Sequence, residues 1–177
     1  MENDLSRRYI ERLPAIQSWI QETLRVSAKA RRTINSFVFH RIPEYFSEEI
    51  LNTAGVVSID RLPVPPLTAL GLTEFAGFES QQIAAVTYMN TYFVQPDHIY
   101  DESLHFHELV HVVQWKTIGP ESFLMLYAQG LAKYGYRESP LEQMAYRYQV
   151  IFDEGIQCYR VEGAVAEETL GLARTFI

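Results

Sequence analysis

The 177-residue chain, 47% hydrophobic and 13% aromatic, is long enough to bury a substantial core, which sets aside a disordered or fibrous protein. A net charge of −7 argues against nucleic acid as a principal partner, because phosphate binding needs a cationic surface. The lone cysteine, Cys158, excludes an internal disulfide and suits a reducing compartment.

No apolar run follows the N-terminus as a secretory signal would require, and no stretch of about twenty apolar residues is present to span a membrane. A cytoplasmic location is the expectation, with export by a signal-independent route left open. From Leu5 to about Ile34 the pattern is helical: Ile10, Leu13, Ile16, Ile20 and Leu24 recur at three- and four-residue spacing, with Pro14 as a kink or restart. Arg25, Lys29 and Arg32 follow the same period on another face, as a solvated surface would. Ser47-Glu48-Glu49 reads as a capped helix start ending near Gly55, followed by a strand over Val56–Asp60. Leu62–Leu67 is too proline-rich for helix or central strand and predicts a stiff connector, or a wall of a cleft.

Ile83–Met89 and Thr91–Val94 are β-forming runs joined at Asn90, which suits the positive φ of a tight hairpin. Asp101 or Ser103 caps the next helix, which ends before Gly119-Pro120; a further helix covers about Pro120 to Lys133. Tyr134–Glu138 is a loop. Ser139-Pro140 opens another helix, with Ser139 as cap and Pro140 in its first position. A last helix runs from near Val161 to Ala173. Without repeats or convincing linkers, the expectation is one mainly helical α+β domain with a small antiparallel or mixed sheet. It comprises an N-terminal helical segment (1–35), the sheet (56–95) and a pair of site-bearing helices (102–153).

The informative stretch is His107-Glu108-Leu109-Val110-His111. Two imidazoles four positions apart stand one above the other on a helix, roughly 6 Å apart at their β-carbons. Both can then reach one tetrahedral ion at about 2.0–2.1 Å per nitrogen, and Zn2+ is the usual occupant. Glu108, about 100° around the helix from His107, lies beside the ion without ligating it, placed to take a proton from metal-bound water. Phe106, Leu109, Val110 and Val113 make a broad apolar face, and the helix lacks a charged stripe, so it is expected to be central and buried. Buried histidines and a buried glutamate are costly unless paired or coordinated. His105 lies about 160° from His107 and points elsewhere, toward a supporting, surface or substrate-contact role. His40 and His98 stand in no ligand spacing.

A catalytic zinc normally has three protein ligands, and the leading third candidate is Glu142, thirty-one positions after His111. Its helix carries Leu141, Met144, Tyr148, Ile151 and Phe152 on an apolar face and Glu142, Tyr146, Gln149 and Asp153 on a polar stripe. Ser139-x-x-Glu142 also matches a capping box, a competing use of the same side chain. Glu138, Asp153 and Glu154 are the alternatives.

Together, HELVHVVQW and the later SPLEQMAY resemble the zincin metallopeptidases, specifically the gluzincin-like branch with His, His and Glu ligands. The similarity is greatest to small bacterial zincin-like proteins with an HELxHVxQ helix, and it spans about Ile83 to Asp153. The resemblance implies a zincin-like domain with His107, His111 and Glu142 as ligands of one zinc ion per chain and Glu108 as general base. It also implies that a strand within Ile83–Met89, or its partner Thr91–Val94, borders the cleft and pairs with a peptide or protein substrate. Many gluzincins place an acid four positions after the glutamate ligand to orient a histidine. Tyr146 stands there, so the partners of the two imidazoles are unassigned.

The expected reaction is attack of metal-activated water on an amide carbonyl. Tyr134, Tyr136 and Tyr146 are candidate oxyanion donors, with Tyr136 and Tyr146 preferred. The rival readings are a zinc-binding module of lost or restrained activity, serving protein interaction or associated with a toxin, and a purely structural role.

Overall fold

The computed structural model describes residues 2–156 and 161–176; Cys158 lies outside them. Helix α1 (Glu2–Ser27) buries Tyr9, Leu13, Ile16 and Ile20 at helical spacing and runs through Pro14 without a break. It stops short of the predicted Ile34. Arg32–Thr33 instead form a two-residue strand, β1, captured by antiparallel pairing with Gly55 and Val56, a tertiary contact that overrides the local period. Helix α2 (Glu48–Thr53) starts as predicted, with the Ser47 hydroxyl accepting from the Ile50 amide, and β2 spans Gly55–Ser58. The proline-rich connector is irregular, and a short helix, α3 (Ala76–Glu79), follows it.

Strands β3 (Ala85–Tyr88) and β4 (Thr91–Val94) form the expected hairpin. The positive φ falls on Met89 (58°), not on Asn90. Asn90 is tied instead to the neighbouring strand region, its carbonyl accepting from Gly55 N and its amide donating to Thr53 O. β4 also pairs in parallel with β2, giving a mixed sheet of order β1-β2-β4-β3. β3 is therefore an outer strand, whereas β4 is bonded on both sides.

Helix α4 (Glu102–Tyr134) is capped by Asp101, whose carboxylate accepts from Leu104 N. It breaks where Gly119-Pro120 predicts: Gly119 has φ 75°, a left-handed geometry that glycine adopts without strain. Helices α5 (Pro140–Asp153) and α6 (Val161–Phe176) pack against α4. Upstream of the break, Phe106, Leu109, Val110 and Val113 join a core with Tyr92 and Phe152. Trp115 and, beyond the break, Phe123 and Leu126 join a second core built on α1. Residues 105–115 are all buried, so α4 is the central helix of a mainly helical α+β fold. Among the described residues, no helix is long and apolar enough to cross a membrane.

His105 is a core residue rather than a surface or substrate-contact group. Its Nε2 lies 3.0 Å from the Ile99 carbonyl, which can only accept, so Nε2 carries the proton and Nδ1 accepts from the Tyr92 hydroxyl at 2.5 Å. Burial disfavours the imidazolium and lowers its pKa to about 4, against the weaker pull of Ile99, Asp101 and Glu102. The folded pKa lies below the unfolded value, so between about pH 6.5 and 4 the unfolded chain takes a proton that the fold refuses. This group therefore favours the fold most above pH 6.5, and its contribution falls as pH drops. The His105 ring resonances should stay in the neutral position down to pH 5.5 by NMR; a midpoint near 6.5 would contradict this environment.

Candidate metal centre

Two elements build the centre. The first half of α4 presents His107 and His111 on successive turns, and the first turn of α5 presents Glu142. α5 can approach because Gly130 has no side chain: a Cβ there would stand 3.0 Å from both Pro140 Cδ and Ser139 Cβ. Ser139 occupies the cap position, but its hydroxyl makes no capping bond and is buried without a partner. The capping box does not form. Glu142 turns to the histidines instead.

The two Nε2 atoms are 3.1 Å apart, and Glu142 straddles them, with Oε2 3.4 Å from His107 Nε2 and Oε1 3.4 Å from His111 Nε2. Atoms held by one tetrahedral ion at about 2.0–2.2 Å stand about 3.3–3.6 Å from each other. The two nitrogens stand slightly closer than that, and each carboxylate oxygen faces one of them at a distance within it, so the three side chains converge on one point. The three side chains are 3%, 5% and 2% exposed, and Glu142 Oε2 is buried without a hydrogen-bond donor. This donor set could hold a metal ion. Glu138, Asp153 and Glu154, the alternative ligands, are exposed and outside the cluster. His40 and His98 do not join it either.

The partners of the imidazoles, unassigned from sequence, are two glutamines. Gln114 Oε1 lies 2.8 Å from His111 Nδ1, and its amide nitrogen donates to the Leu141 carbonyl, which fixes which end of the amide faces the ring. Gln149 Oε1 lies 3.1 Å from His107 Nδ1, with its nitrogen on Ser103 Oγ. In the neutral imidazoles each Nδ1 then donates to a glutamine oxygen, leaving both Nε2 lone pairs facing inward, as metal coordination requires. Tyr127, from beyond the Gly119 break, donates to Glu142 Oε1 at 2.7 Å. Gln114 was visible as a polar residue one turn after His111, and Gln149 as a member of the Glu142 stripe; nothing in the sequence marked Tyr127. Replacing Gln149 or Gln114 by Met should weaken zinc binding about 10–100-fold in competition with a chromogenic chelator. Unchanged affinity in both variants would refute the orienting role.

Burial disfavours charge on all three acid–base groups, and their mutual contacts decide the outcome. For His111 the Glu142 carboxylate outweighs burial and lifts the pKa to about 9. Burial alone would raise the Glu142 pKa, but His111 and His107 hold it well below the carboxylate range. Without a cation, a proton on the imidazoles supplies the compensation that the buried carboxylate needs. Glu108 is the reverse case: burial raises its pKa, and the opposing pull of His111 and His107 does not cancel that. It stands outside the ligand cluster, with Oε2 bonded to the Thr87 hydroxyl of β3 at 2.5 Å.

A cleft of about 320 Å3 opens between residues 81–85, α4 and α5, and reaches His107 and Glu108. Tyr136 and Tyr146 line it; the Tyr146 ring lies tilted against His107 at 4.6 Å, and Arg137 lies 5.3 Å over the same ring. Burial, then the Glu142 charge, raises the pKa of both phenols, so they are protonated donors. Tyr134 is elsewhere, partly exposed beneath Lys133. No protein-family model, no curated protein and no solved structure matches this chain.

Proposed function

We propose that the chain is a zinc-dependent hydrolase, and within that class a zincin-like metallopeptidase. The observation that carries this reading is the convergence of two imidazoles and a carboxylate on one point, with a separate carboxylate, Glu108, beside them at the inner end of the cleft. His107, His111 and Glu142 would hold zinc, which when bound supplies Lewis acidity toward a carbonyl oxygen and water.

The remaining roles fall to the protein. Thr87 engages one oxygen of Glu108, and the other has no protein donor among the described residues, which leaves it for a water proton. Burial raises its pKa, which makes this carboxylate a stronger acceptor for that proton, to be returned to a leaving amine. Tyr136 or Tyr146, both lining the cleft, can donate toward a developing oxyanion. β3 is the outer strand and borders the catalytic helix through Thr87, so of the two candidate strands it is the one with an edge available to an extended peptide.

The test is cleavage of a complex peptide mixture by zinc-loaded protein, read by mass spectrometry. Activity should vanish on chelation and return with zinc. Zinc-replete protein that cleaves no amide substrate would favour the module of lost or restrained activity.

A further inference from the structure

Behind the metal centre is a second cavity of about 60 Å3, which shares Ile83, Ala85, Glu108 and Tyr136 with the outer cleft and reaches His111 and Glu142. Its deeper walls are apolar. Tyr9 and Ile16 come from α1, Leu67 and Phe75 from the segment before the hairpin, and Phe123 and Ala128 from α4 beyond Gly119. None of these six is more than 6% exposed, so the space lies within the core built on α1. Protein interiors leave few voids larger than a water molecule, and one opening onto a buried donor cluster is unusual. Trp115 also lines it, with an indole N–H that has no partner among the described residues, but no side chain from α1, from the segment before the hairpin or from α4 beyond Gly119 supplies a counter-charge, so a charged tip would lose its hydration there without replacement.

We propose that this cavity is a substrate pocket closed by α1, taking a compact aliphatic group attached next to the bond on which the centre acts. The assignment rests on the hydrolase reading for the identity of the reacting bond. On the scale on which about 10–15 Å3 admits one water, the cavity takes about four to six heavy atoms, a leucine-sized group rather than an indole. It makes α1 and the proline-rich connector, both outside the zincin-like stretch, parts of the substrate site. The connector's cleft-wall alternative is thereby realised through Leu67.

Hydroxamic acids test this without turnover, because the hydroxamate anchors on the zinc while its acyl chain samples the cavity. Zinc-loaded protein should bind 4-methylpentanoyl hydroxamate about tenfold or more tighter than acetohydroxamate by calorimetry. Ala128→Leu, which fills the cavity, should remove that preference while leaving acetohydroxamate affinity unchanged. Ile16→Ala, which enlarges it, should move the preference to a longer chain, and it decides the matter if Ala128→Leu fails to fold. Equal affinities along the series in the natural protein, or a preference unmoved by both substitutions, overturns the pocket. If zinc-loaded protein binds no hydroxamate at all, the hydrolase reading itself fails and the pocket assignment falls with it.

Discussion

Glu108→Gln should lower amide hydrolysis by about 10²–10⁴-fold, or about 3–5 kcal/mol in the barrier, and leave zinc stoichiometry unchanged. The two halves of this expectation have separate causes. Metal content is preserved because the group that could hold the ion is His107, His111 and Glu142, and Glu108 is not among them. The fold is preserved because an amide oxygen can still accept from Thr87 in the same place. Turnover is lost because the amide cannot take a proton at any working pH. An accidental histidine pair in a core would show no such split, since no turnover would exist to lose. A hydrolase whose rate survives Glu108→Gln must draw its base from elsewhere, and the assigned role would then be wrong.

The ligand helix was legible because its chemistry is local: the four-residue spacing alone puts both imidazoles on one face, and the absence of a charged stripe announces burial. Glu142 was legible only in part. Its position three residues after Ser139 fits both a capping box and a ligand, and the choice depends on how closely α4 approaches, which Gly130 sets from a different element. The orienting groups depend on contacts between elements. Gln149 reaches His107 across forty-two positions, and Tyr127 reaches Glu142 only because the Gly119 break redirects the chain. Tyr146 occupies the position where many gluzincins carry an acid, yet its ring lies tilted against His107 while Gln149 takes the Nδ1 bond. In the sheet, the two residues of β1 are too few for any alternation to be read, and their pairing with β2 was invisible at the end of a helical pattern. His105 shows the same limit: its spacing ruled it out as a ligand, but only the folded chain brings Tyr92 and the Ile99 carbonyl to its two nitrogens.

Zinc should raise the melting temperature of metal-free protein by about 8–16 °C when free zinc is a thousandfold above its Kd. Binding at that excess favours the folded state by about 4 kcal/mol, and each kcal/mol moves the midpoint of a chain this size by about 2–4 °C. The direction follows from burial: two inward-facing nitrogens and a carboxylate lie together out of water, and a divalent cation replaces the proton on the imidazoles and engages all three groups at once. Five histidines and a cysteine also give the unfolded chain some zinc affinity, which reduces the shift but cannot reverse its sign while the site is tighter. Glu142→Ala should remove most of the effect, because two imidazoles alone make a weaker and more open site. Circular dichroism must show that this variant is folded without metal, since losing a buried ionic partner can itself cost about 3–5 kcal/mol. A natural protein whose melting point ignores zinc, or a Glu142→Ala variant that keeps the full shift, would mean that the ion binds somewhere other than between these three side chains.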